Sequence, residues 1–277
     1  MIQETGLPFD NHYEPFTPSP EDAAVCFRGD AVLLAEQNGE IRFPTVGEAG
    51  GAERYLFTVG ERRYFLCRTE AFGDYAFREI GLLRRSAPRE RVFAGVTALH
   101  LYRWYRDHQF CGRCGARMRH SDAERAMVCG CGNTAYPAIA PAVIVGVTNG
   151  DRICLTKYNR GYAHWALVAG YTEIGETPEE TVAREVREET GLRVKNIRYY
   201  RSQPWGLSGS LLLGYFCEVE GDDTIRVDHD ELKEGRWFAR EEIDFPDDRF
   251  SLTREMIARF REGTVPMASL LMRQLNN

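Results

Sequence analysis

The chain has no run of residues long enough to cross a membrane. Its longest apolar stretches, such as Ala142 to Val147, fall far short of the ~20 residues a helical span requires. The opening MIQETGLPFDNHYEPF has no basic start followed by an apolar run, which argues against a secretory signal and makes the cytoplasm the expected compartment. Positive charge is not in excess either. Lys and Arg number 35 against 41 Asp and Glu, and a net charge of −6 argues against sequence-independent nucleic-acid binding, which needs clustered cations for the phosphates. Internal repeats and low-complexity tracts are missing. What remains is a globular composition, 43% hydrophobic and 27% charged, over 277 residues: enough for two domains, or one large domain and a small module.

The eight cysteines are unevenly spread. Cys26, Cys67, Cys154 and Cys217 stand alone in apolar surroundings and read as small buried hydrophobes. The other four lie within CGRCG (111–115) and CGCG (129–132), on either side of a short hairpin segment. In a reducing compartment such crowding indicates metal rather than disulfides. Cys111, Cys114, Cys129 and Cys131 are the expected zinc ligands, four thiolates closing a tetrahedral structural site. The second pair is C-x-C, one residue shorter than the usual C-x2-C knuckle, so His108 and His120 stand as substitute ligands.

Organisation along the chain suggests three parts. Residues 1–20 are an irregular, proline-rich lead-in, and 31–43 and 54–68 each read as two strands about a turn. From Pro88 to Phe110 the spacing becomes helical, with Phe93, Val96, Leu99 and Tyr102 on one face. The expected domains are a small β-rich unit over 1–106, a zinc ribbon over 107–137 and a third domain over 138–277. In the last, PAVIVGV, ICLTKY, HWALVAG, IRYYRSQPW, SLLLGYFCEVE and GRWFAR are strand candidates around an internal helix. SLTREMIARFREG and PMASLLMRQL are closing helices. The fold class expected is α+β, with a mixed sheet between helices.

The internal helix raises a question. GYTEIGETPEETVAREVREETGL (170–192) holds seven glutamates, three of them (Glu185, Glu188, Glu189) within one turn. Like charges at this spacing cost roughly 0.2–0.5 kcal/mol per pair on an exposed helix. Thr177 with Glu180 makes a capping box, Pro178 suits the first turn, and Gly191 suits the end, so the helix is expected over about 178–190. Val182 and Val186 form a docking stripe. The three glutamates form another, where converging carboxylates hold hard divalent cations and repulsion becomes coordination.

The spacing G-x5-E-x7-R-E-U-x-E-E-x-G-U, with U aliphatic, is met by Gly170, Glu176, Arg184, Glu185, Val186, Glu188, Glu189, Gly191 and Leu192. It resembles the signature of the Nudix hydrolases. That resemblance implies an α/β/α sandwich that binds Mg2+ or Mn2+ and hydrolyses a nucleoside diphosphate linked to another group. It assigns metal binding and catalysis to Glu185, Glu188 and Glu189, loop geometry to a Glu176–Arg184 pair, and backbone roles to Gly170 and Gly191. Metals would neutralise the diphosphate, polarise a phosphorus and acidify the attacking water.

A zinc ribbon directly before such a domain is similar to the NADH pyrophosphatase family, which splits NAD(H) into nicotinamide mononucleotide and AMP and in some members removes NAD caps from RNA. AYPAIAPAVIV (135–145) follows the cysteines as in that family, and SQPW (202–205) stands where it carries S-Q-P-W-P-F-P-x-S. Ser202, Gln203, Pro204, Trp205 and Ser210 match; Gly206, Leu207, Ser208 and Gly209 do not, which puts the preference among NADH, NAD+ and ADP-ribose in question. The resemblance further implies substrate contacts from Tyr136, Tyr171, Gln203, Trp205 and Ser210. It implies a distal metal carboxylate at Glu231, with Glu234 its competitor, and a homodimer. An ADP-ribose or other nucleoside-diphosphate diphosphatase and a non-catalytic nucleotide-sensing regulator are the alternatives.

Overall fold

The computed structural model describes residues 1–160, 164–244 and 250–265. Chain contacts divide it into two compact units. The first comprises Ile2–Ile139 together with Trp205–Gly209; the second comprises Met1, Ala140–Pro204 and the chain from Ser210 onward. The cysteine segment falls inside the first unit.

Both hairpins expected in the amino-terminal unit are present. Ala31–Gln37 turns back into Glu40–Arg42 through Asn38 and Gly39, whose φ angles of 54° and 81° suit a two-residue hairpin turn. Arg54–Val59 pairs with Arg62–Leu66. Two four-stranded sheets result, and their buried side chains, including Leu33, Tyr55 and Phe65, form a core with Cys26 and Cys67. A helix over Arg89–Asp107 follows, its Phe93, Val96 and Leu99 buried. Next come three two-residue strands at 119–120, 127–128 and 134–135 in one small antiparallel sheet. Residues 205–209 pack against that helix: Gly206 abuts the Val96 carbonyl, and Arg103 Nη1 donates to Leu207 O at 2.7 Å.

The carboxyl-terminal unit contains β1 (Ala140–Asn149), β2 (Arg152–Tyr158), β3 (Val168–Tyr171), α1 (Pro178–Thr190), β4 (Val194–Trp205), β5 (Ser210–Val219), β6 (Leu232–Ala239) and α2 (Leu252–Arg261). The strand order is β4-β5-β1-β2-β6, with β3 also paired to β1. β1 runs parallel to β5 and antiparallel to β2 and β3, so the sheet is mixed. Alternation along the strands separates two faces. Val143, Val145 and Val147 with Tyr215 and Cys217 pack against Val182 and Val186 of α1. On the opposite face α2 closes over Gly214 with Leu252 and Met256. The layers are those of an α/β/α sandwich. Each buried valine contributes about 1.5–3 kcal/mol, which offsets the charge repulsion along α1. The segment PMASLLMRQL lies outside the described residues. Among the described residues, no helix is long and apolar enough to cross a membrane.

Candidate active site

The helix carrying the glutamates spans Pro178–Thr190, opened by a reciprocal capping box between Thr177 and Glu180 and closed by Gly191 at φ 71°. Thr177 N donates to Glu180 Oε2 at 2.7 Å, and Glu180 N donates to Thr177 Oγ1 at 3.3 Å. The loop before it is tied down by Glu176, which accepts from Glu173 N at 3.0 Å and from Thr181 Oγ1 at 2.9 Å. Arg184 grips the same carboxylate with Nε at 2.6 Å and Nη2 at 2.9 Å. It also reaches Glu185 at 2.7 Å, Glu188 at 3.0 Å and the Tyr171 carbonyl at 3.0 Å. One guanidinium therefore joins loop, strand and helix. Hydrogen bonding to Arg184 holds Glu176 down at about 2.

The three glutamates do not share one environment. Glu188 is exposed, Glu185 is mostly enclosed, and Glu189 is only 3% exposed. Glu189 lies three residues after Val186 and so continues the buried stripe of α1; the separate acidic face expected from the sequence splits at that position. Burial, with Glu185, Glu231 and Asp228 adding repulsion, pushes its carboxyl up to about 8 against one backbone hydrogen bond from Ala169. Its Oε2 is buried without a hydrogen-bond partner. Burial also raises Glu185 despite Arg184, with Glu188 and Glu231 adding to the rise. Gly170 on β3 faces this group so closely that a Cβ there would overlap the Glu185 carboxylate.

Glu231 comes from the loop before β6, where its carbonyl accepts from Asn159 N at 3.0 Å. Its charge acts on both Glu185 and Glu189, whereas Glu234 stands in β6 opposite Lys157. Two neighbours were not singled out in the sequence. Asp228, in the same acidic segment, donates its backbone N–H to Glu189 O at 3.1 Å and raises the Glu189 carboxyl. Tyr158, the last residue of β2, is raised by burial and by the charges of Glu189, Glu231 and Glu185. Tyr158, Asn159, Arg160, His229, Asp230 and Glu231 line an open cavity of about 730 Å3. An orphaned buried oxygen beside mutually repelling carboxylates fits a hard divalent cation, which gives the oxygen a partner and cancels the repulsion.

The expected substrate contacts fare differently. Tyr171 is 53% exposed at the end of β3, with its ring available. Tyr136, in the amino-terminal unit, is 57% exposed and donates its hydroxyl to Glu124 at 3.0 Å. Trp205 is buried with the Arg84 guanidinium over its ring, and Ser210 is buried at the start of β5. Gln203 is 0% exposed. Its amide nitrogen donates to Phe250 O at 3.1 Å and its oxygen accepts from Leu252 N at 2.7 Å, fastening the first turn of α2. The side chain expected to meet substrate is thus enclosed, and its amide holds the backbone on either side of Ser251.

In the amino-terminal unit, Cys111, Cys114, Cys129 and Cys131 converge, all four Sγ atoms lying within 4.8 Å of one another. Cys111 and Cys131 approach to 3.7 Å, Cys114 and Cys129 to 3.6 Å. Four sulfurs at about 2.3 Å from a tetrahedral zinc have edges of roughly 3.8 Å, so the cage has the right size despite the shortened C-x-C pair. The Arg113 N–H points at Cys111 Sγ, and such hydrogen bonds bring that thiol down to about 6. At Cys114 the Ala116 N–H pulls the same way, but the thiols of Cys129 and Cys131 push it up to about 12. A bound cation suits one stabilised thiolate among crowded sulfurs. Neither histidine is required: His108 Nδ1 is spent on Trp104 O at 2.8 Å.

Residues 138–260 match the NUDIX domain family, and residues 106–136 match the NADH pyrophosphatase zinc ribbon domain. Among curated relatives, a Pectobacterium atrosepticum protein named NAD-capped RNA hydrolase NudC is 40% identical over 147 residues, 52% of this chain and 56% of the relative. A protein of the same name from Salmonella schwarzengrund is 40% identical over 172 residues, 61% of this chain and 65% of the relative. The chain thus spans less than two thirds of the length of either. A Nudix hydrolase structure from Nitrosomonas europaea aligns with a TM-score of 0.49 at 24% identity, covering 56% of this chain and 90% of that one. The helix and its carboxylates thus fall in a segment that matches a Nudix domain, and the four-cysteine cage falls in a preceding segment that matches an NADH pyrophosphatase zinc ribbon.

Proposed function

We propose that this chain hydrolyses the diphosphate bond of NADH or NAD+ to nicotinamide mononucleotide and AMP, and that it accepts the same bond at the NAD cap of RNA. The observation that carries the hydrolytic part is Glu189 Oε2, buried without a partner beside the charges of Glu185 and Glu231. Glu185, Glu188, Glu189 and Glu231 would hold Mg2+ or Mn2+, which supplies charge neutralisation on the diphosphate and an acidified water. Arg184 positions two of these carboxylates, and Gly170 leaves room for one of them. Tyr171 offers a ring for a flat base. The ribbon family and relatives named NAD-capped RNA hydrolase support this substrate class. A cytoplasmic homodimer with structural Zn2+ belongs to this reading; a monomeric mass by light scattering counts against the dimer.

A second reading, hydrolysis of ADP-ribose or another nucleoside-diphosphate compound, is favoured by the GLSG sequence at 206–209 and by the enclosure of Gln203. Chromatography of products from NADH, NAD+, ADP-ribose and diadenosine diphosphate, with Mg2+ or Mn2+, separates the two. Fastest release of AMP and mononucleotide from NADH or NAD+ supports the first reading, and preference for ADP-ribose supports the second. Tight binding with no cleavage of any substrate overturns both in favour of a sensor.

A further inference from the structure

The amino-terminal unit contains a cavity of about 460 Å3, within the ~300–1,000 Å3 of small-molecule sites. Its lining concentrates positive charge in an acidic chain, with Arg54, Arg68, Arg106 and Arg117 against the single carboxylate of Glu53. Arg68 is neutralised by Glu53 at 3.1 Å and Arg106 by its neighbour Asp107 at 2.7 Å. Arg54 and Arg117 have no carboxylate partner among the described residues. The Arg54 guanidinium lies over the Tyr105 ring, 5.4 Å from its centroid. Stacking fixes the plane of the guanidinium, cancels none of its charge and leaves its N–H edges for an anion. Burial and the Arg54 charge together bring His120, also on the wall, down to about 4. Buried Met118 and Met127 supply an apolar wall beside Tyr105.

We propose that this cavity binds a nucleoside phosphate, its phosphate on Arg54 and Arg117 and its base on the apolar wall of Met118 and Met127. Guanidinium groups take a phosphate through forked, charge-assisted hydrogen bonds, and the wall favours a ligand with a flat, weakly polar body. Every group named belongs to the unit that lacks the Nudix carboxylates, so occupancy requires no divalent cation. The ligand is either a free mononucleotide or a nucleotide unit of single-stranded RNA; the chemistry at the arginines is the same.

The test is photo-crosslinking of the full zinc-loaded chain without added Mg2+ or Mn2+, using azido-AMP in one arm and a short thiouridine-containing RNA in the other, followed by peptide mapping. Label is expected on peptides between Tyr102 and Met127. In Arg54→Ala and in the charge reversal of exposed Arg117, R117E, it is expected to fall roughly tenfold or more. NAD+ cleavage and zinc content should stay at wild-type levels. Stronger labelling by AMP identifies a free nucleotide and stronger labelling by RNA identifies the polymer; either supports the site. Label confined to residues 140–265, or undiminished in both variants, overturns it. Because labelling is read without divalent cation and NAD+ cleavage is assayed separately with it, failure here leaves the hydrolytic assignment intact, and loss of hydrolysis leaves this one intact.

Discussion

Gly170 and Glu185 meet so closely that a methyl group on the glycine would occupy the volume of the carboxylate. The glycine is thus a spacer for a functional side chain. Gly170→Ala should displace that carboxylate, and a shift of about 1 Å at such a site costs around a hundredfold in rate. Overpacking should lower stability by about 1–3 kcal/mol. Steady-state hydrolysis and thermal melting measure the two effects, and a wild-type kcat in this variant would remove Glu185 from the reacting centre.

Glu189 gives a pH signature. Its folded-state carboxyl sits near 8 against an ordinary 4.5, so the native protein holds a proton that the unfolded chain has released. Without added divalent cation, stability should therefore fall as pH rises from about 4.5 to about 8 and then level off. Glu189→Gln removes this slope and abolishes turnover while keeping the fold. Melting curves across pH, with and without Mn2+, check it: the cation should stabilise the wild type most at the alkaline end and the variant little.

The cysteine cage should hold one zinc ion per chain. Cys131→Ser is expected to lose zinc and lower the melting midpoint, whereas His108→Ala and His120→Ala keep the metal. Elemental analysis of unchelated protein decides, and a zinc-free wild type would return the four thiols to redox chemistry.

Gln203→Ala should cost about 1–3 kcal/mol, because Leu252 N–H and Phe250 O lose buried partners. KM for the dinucleotide should stay within about threefold, since folded Gln203 has no exposed surface. A large rise in KM without loss of stability would instead favour the substrate role that the motif implies.

Much of the Nudix half was legible because its signals are local. Thr177, Pro178, Glu180 and Gly191 mark the ends of one helix within fifteen residues. Hairpins about Asn38-Gly39 and Gly60 were readable for the same reason. Glu189 was harder: pattern puts it with Glu185 and Glu188, but its depth depends on how α1 rolls on the sheet. The bonds that tie Gln203 to Phe250 and Leu252 were not legible either, because only the approach of α2 creates them. The arginine cavity draws Arg54, Arg68, Arg106 and Arg117 from separated segments, and no periodicity joins them.

The parallel pairing of β1 with β5 aligns Ala140 with Ser210 and Thr148 with Glu218, about seventy residues apart along the chain. During synthesis the apolar β1 strand must wait for β5 to leave the ribosome before its longest edge is covered. The loop closure is slow relative to hairpin formation. Over that interval Val143 to Val147 presents an unpaired β edge, open to wrong partners. The β1–β2 hairpin at Asn149-Gly150 and the short β3 strand occupy the opposite edge early. The amino-terminal unit, by contrast, has all but five of its residues made before β1 emerges, and those five arrive with the turn into β5.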